Sequence, residues 1–179
     1  MKKLWITLLT VLFMVIGIGT ALADKTKEPK RELDLELVFK GDFVSQYVIK
    51  DSILFASTKS GADLNKIAAL IKFEYTPDGI RDRINSYKKS HSGSNKYDNF
   101  AFSLNGFIFD LKNKKYTMIS FTDYDMSGKI ISDTFKDPGP HDWFNMSPSQ
   151  NYTLQVIEKY VSLNHDKVLS RSGYKKTSE

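Results

Sequence analysis

The chain carries 179 residues, a formal net charge of +5 from 26 Lys and Arg against 21 Asp and Glu, and no cysteine. A chain of this length buries one core without staples, and the lack of cysteine excludes both disulfides and a leader ending on a lipid-modified cysteine. The basic surplus is too small for a nucleic-acid binder, which concentrates a far stronger basic face.

The opening stretch, MKKLWITLLTVLFMVIGIGTALADK, has the three parts of a secretory signal: Lys2 and Lys3, an uncharged apolar run from Leu4 to about Gly19, and small residues at Ala21-Leu22-Ala23. The apolar run is also about long enough for an uncleaved membrane anchor. Its Ala-x-Ala ending and the polar DKTKEPKRE behind it favour cleavage, so 1–23 is read as a signal peptide. Its loss removes the two lysines and takes +5 to +3. No later segment is apolar for long enough to span a bilayer. The predicted location is outside the cytoplasm of a bacterial cell, in the periplasm or at the cell surface. Residues 24–32 read as a flexible, charged lead-in.

One α+β domain is expected over 33–163. LDLELVF alternates apolar and acidic residues, the period of a half-buried strand, and Gly41-Asp42 ends it. FVSQYVI and SILFAS are two further strand-like runs about a kink at Lys50-Asp51. STKSGADLN reads as a polar loop. KIAALIKFEYT fits helix or strand, and its ending in Phe73, Tyr75 and Thr76 before a turn at PDG favours strand. Ile80, Ile84 and Tyr87 are spaced at four and three, which predicts a short amphipathic helix.

After the loop SHSGSNKYDN, FAFSLNGFIFDL predicts one or two strands interrupted at Asn105-Gly106. KNKK then turns the chain into YTMISFTDY, GKIISDTF follows, and KDPGPHDW is irregular. Ser147, Pro148 and Gln150 predict a capped helix start. Leu154, Ile157 and Val161, flanked by Val156 and Tyr160, form a stripe that requires a sheet beneath it. Lys159, His165 and Lys167 suit the negative pole of that helix. From Asn164 to Glu179 the chain loses its apolar residues almost completely and reads as a basic, frayed tail. Tight turns between neighbouring strands predict an antiparallel sheet of about six strands with the C-terminal helix packed across one face.

Chemical motifs are scarce. FTDYDMSGKIISD spaces Asp123, Asp125, Ser127 and Gly128 like a calcium loop, but Thr134 stands where the ion needs a bidentate Glu and the flanks read as strands, so a hairpin turn is expected. The pairs Asp34 with Glu36 and Asp123 with Asp125 are read as facing solvent. His141-Asp142, His165-Asp166 and His91 contain metal-binding residue types, but nothing in the sequence brings them together. No serine has a nucleophile setting, and SGADLN lacks the lysine of a phosphate loop. The sequence therefore predicts no catalytic, cofactor or metal residue. The lysine patches at 88–89, 112–115 and 171–176 are ordinarily solvated turns. Their sharper reading is docking of an acidic partner, such as an anionic glycan or envelope phosphate. Lys112, Lys114 and Lys115, with the exposed-looking Trp143, form the candidate partner-binding surface.

QYVIKDSI, DLKNKKYTMISFTDYDMSGKII and DWFNMSPSQNYTLQVIEKYV together resemble the bacterial surface-adhesin protein E family. Tyr124-Asp125 with Gly128-Lys129 matches its hairpin, and Trp143 with Ser147-Pro148-Ser149 matches its helix start. Two cysteines often tie sheet to helix in that family, and the positions near Leu111 and Val161 where they would be expected are apolar here. The resemblance implies a small antiparallel sheet under a C-terminal helix, pairing as a homodimer, and adhesion to host matrix proteins such as laminin or vitronectin. The function expected is an exported, non-enzymatic, adhesin-like module recognising protein or glycan at the bacterial envelope. The alternative is a periplasmic small-ligand carrier or an envelope enzyme with a loop-built site.

Overall fold

The computed structural model describes residues 33–58, 61–91, 95–136, 139 and 142–172. The expected leader and lead-in, His141 and residues 173–179 lie outside the described residues. Strands β1 (Leu35–Lys40) and β2 (Val44–Ile49) form a hairpin about Gly41-Asp42, and a 3₁₀ turn over Lys50–Ser52 leads into β3 (Leu54–Thr58). Strand β4 (Gly61–Tyr75) is long enough to pair with both, β3 along 61–68 and β2 along 71–75. Helix α1 (Pro77–Ser90) precedes β5 (Phe100–Asp110), β6 (Lys115–Asp125), β7 (Ile130–Phe135) and the two-residue β8 (Phe144–Asn145). The chain then forms α2 (Pro148–Leu163) and α3 (His165–Arg171).

The sheet runs β1-β2-β4-β5-β6-β7, with β3 beside β4 and β8 beside β6, and its pairings are antiparallel. This is the expected α+β architecture; short turns join β1 to β2, β5 to β6 and β6 to β7, whereas β3 lies between β2 and β4 in the chain and α1 between β4 and β5. The core forms where alternate residues of the central strands meet α2. Ile67, Ala69 and Ile71 of β4 and Phe109 of β5 pack with Leu154, Val156 and Ile157, while Tyr160 and Val161 lie at the margin. Leu154 and Ile157 are almost completely buried, each contributing about 1.5–3 kcal/mol of apolar transfer. Leu111 and Val161 both pack against this cluster.

Three local expectations are corrected and one is refined. STKSGADLN is no loop along its whole length: residues 61–65 belong to β4, because Ala62 and Asp63 find partners at Ser57 and Ala56 on β3. PDG is the first turn of α1, whose amide at Gly79 donates to the capping Thr76 Oγ1 at 3.3 Å. Residues 100–110 form one strand, and the interruption expected at Asn105-Gly106 is a register shift against β6 between Gly106 and Phe107. Glycine is required there because a Cβ on Gly106 would lie 2.4 Å from Ser120 Oγ. The expected frayed tail instead begins with α3, whose Val168 is fully buried. Ser172 Oγ, just beyond it, accepts from the Phe55 amide of β3 at 2.7 Å, and Arg171 reaches Asp51 at 2.5 Å.

Candidate functional site at the β5–β6 turn

Lys66 of β4 stands opposite Asp110 of β5, Asp110 opposite Lys115 of β6, and Lys115 opposite Asn145 of β8. Their strand neighbours Ile67, Phe109 and Tyr116 pack on the core beneath α2, so alternation sends this row to the other face of the sheet. The row reads positive, negative, positive across three adjacent strands. Opposite charges facing one another across a ladder stabilise the pairing, and Asp110 and Lys115 are the strand ends that flank the β5–β6 turn.

Asp110 is 8% exposed. Its Oδ1 accepts from the Asn113 backbone N–H at 2.8 Å and its Oδ2 from Asn113 Nδ2 at 2.9 Å, which closes the turn into β6. Burial pushes its carboxyl up, but the Asn113 side chain and amide, with the Lys66 charge and the Lys112 amide, outweigh burial. The carboxyl titrates below its ordinary range and is ionised at neutral pH. Lys66 Nζ pairs with Asp63 at 3.2 Å and lies 6.0 Å from the centroid of the Trp143 ring, a cation–π arrangement. Lys66, Asp110, Asn113, Lys115 and Trp143 together line an open cleft of about 470 Å³.

Of the four sequence-predicted surface residues, Lys115 and Trp143 therefore share this cleft. Lys114 occupies the left-handed region at φ 51° and its ammonium approaches Glu158 of α2 at 3.7 Å. Lys112 is exposed in the turn and does not line the cleft. Sequence reading missed Lys66, Asp110 and Asn113. The Asp-x-x-Asn turn around KNKK was a legible signal for the last two, whereas Lys66 required the β4–β5 register.

The remaining candidates separate. The turn reading of Asp125 holds: its Oδ1 accepts from the Ser127 and Lys129 amides at 2.8 and 2.9 Å, and Gly128 has φ +81°. Asp123, expected to face solvent, is instead fully buried. It lies in register with Ser103, itself opposite the core-packed Phe73, and so falls on the helix-covered face. Tyr97 Oη and Ser103 Oγ each donate to its carboxylate at 2.5 Å, and Arg83 of α1 reaches it at 3.3 Å. The Arg83 guanidinium also lies 5.3 Å from the Phe121 ring and 5.9 Å from that of Phe100. This cluster clamps α1 to the sheet, and Ser103 at its centre is sealed from solvent.

His165 meets Phe55 edge-on at 5.7 Å, whereas His91 stacks on Tyr87 at 4.0 Å. Among the described residues no group of three His, Cys, Asp or Glu is placed to hold a metal ion. No helix among them is long and apolar enough to cross a membrane. No family model matches this chain, and no curated protein or solved structure matches it.

Proposed function

We propose that this protein is an exported, non-enzymatic binding module of the bacterial envelope that docks an acidic partner at the Lys66–Lys115–Trp143 cleft. The observation that carries the reading is the meeting of Lys115 and Trp143, distant in sequence, in one concavity with a second lysine. Lys115 forms no ion pair with a described residue, so its charge is open to a ligand. The secretory pattern of residues 1–23 and the resemblance to the protein E family support export and adhesion. The competing carrier reading draws on the several polar groups that converge here, but the cleft is open to solvent, which suits a surface epitope on a larger partner.

The test is retention of the full-length protein on an immobilised polyanion and on host matrix proteins across a salt series. Binding should fall steeply as salt rises. Lys115→Glu should weaken it about tenfold, and Lys112→Glu, outside the cleft, by a smaller factor. Retention indifferent to salt and to Lys115→Glu would overturn the reading.

A further inference from the structure

We propose that the cleft selects an acidic sugar, a pyranose bearing a carboxylate, as the unit of the anionic partner that it grips. This rests on the docking reading above and names the chemistry recognised. Lys115 is the charge with no carboxylate of its own among the described residues, whereas Lys66 already has Asp63 at 3.2 Å. An anion is therefore drawn to the Lys115 side. It cannot settle in the middle of the row, because the Asp110 carboxylate stands between the two lysines and repels it.

The ligand must then present three things at once: an anionic group to Lys115, hydroxyl donors to Asp110, and an apolar face to the Trp143 indole. Inorganic phosphate has no apolar face, and an acidic peptide has no row of hydroxyls. A sugar acid has all three, since the C–H face of its ring packs on an aromatic wall while its hydroxyls and carboxylate point elsewhere. The cleft of about 470 Å³ falls in the range of small-ligand sites. It is also built to hold rather than to cleave. Glycoside hydrolysis ordinarily employs a pair of carboxyl groups. Here Asp110 is the single carboxylate among the lining residues, and each of its oxygens, accepting one bond from Asn113, keeps a second lone pair for a ligand hydroxyl.

Calorimetric titration of the full-length protein tests this with an oligogalacturonate, its carboxyl-reduced neutral counterpart, and a polyglutamate of matched charge. The uronate should bind at least about tenfold more tightly than either of the others. Trp143→Ala and Lys115→Gln should each weaken uronate binding about tenfold, and Lys89→Gln on α1 by less than about threefold. Trp143→Phe keeps an aromatic wall and should recover part of the loss, which separates a lost contact from a lost fold. Equal binding of polyglutamate and uronate, with the Lys115 dependence intact, overturns the sugar assignment and leaves acidic docking standing. Uronate binding unaffected by Lys115→Gln and by both Trp143 variants overturns the assignment to this cleft. Binding of none of the three ligands overturns this inference and the docking reading together.

Discussion

Tyr97 and Tyr124 are both buried, at 4% and 5% exposure, yet their hydroxyls live in opposite circumstances. That of Tyr97 donates to the buried Asp123 carboxylate, while that of Tyr124 has no hydrogen-bond partner among the described residues. Tyr97→Phe should therefore destabilise by about 1–3 kcal/mol, since it strips a bond from a buried charge. Tyr124→Phe should be neutral or stabilising, because an unmade bond is costly to bury. Denaturant midpoints of the two variants decide this. Burial first, and the Asp123 bond second, push the Tyr97 phenol up to about 12. Above about pH 10 an unfolded tyrosine loses its proton while the folded one keeps it. Stability is thus full below pH 10 and drains away as pH rises toward about 12. Burial, and then the Asp133 charge, raise Tyr124 as well, so the alkaline slope should shrink in Tyr97→Phe and shrink further when both are replaced.

Helix α1 shows why a helical glycine is not always a weakness. An added Cβ on Gly79 would lie 2.2 Å from the Phe43 carbonyl oxygen, the same oxygen that accepts from the Thr76 amide at 3.0 Å. The first turn of α1 is pressed onto the β1–β2 turn with no room for a methyl group. Gly79→Ala, which ordinarily gains up to about 1 kcal/mol of helix propensity, should instead cost about 1–3 kcal/mol, read from thermal or denaturant unfolding. Helix α3 depends on a different device. Burial pushes the Asp51 carboxyl up, but the Arg171 bond and charge, with Lys167, bring it below the ordinary carboxylate range. A depressed carboxyl stabilises above its unfolded pKa and loses that contribution as pH falls through the folded one. Asp51→Asn should then cost about 1 kcal/mol or less at neutral pH, because the pair is partly solvated. The gap from wild type should close as pH falls below about 4. Faster amide exchange confined to α3 in Asp51→Asn would locate the effect.

The reading of an exported module makes one further demand, that chain recovered from the cell envelope begin near Asp24 and lack Lys2 and Lys3. N-terminal sequencing of that material checks it, and an intact Met1 would sink the cleavage. Among the described residues, the stripe Leu154, Ile157 and Val161, the corner Asp125–Gly128 and most strands were legible, because period and turn chemistry are short-range properties of neighbouring residues. Asp123 was misread because alternation along β6 says which residues share a face, not which face is covered. Helix α1 and the segment before β5, with Tyr97, cover it. The tail was misread because two apolar residues, Val168 and Leu169, look too few for a docked helix until β3 supplies the Phe55 amide and Asp51 supplies a charge. The cleft belongs to the same class. Asp110 and Asn113 are legible as a turn, but Lys66 and Trp143 reach them only through the pairing of β4 with β5 and of β6 with β8. Register and burial are set by contacts between residues far apart along the chain, and local patterning carries no record of those partners.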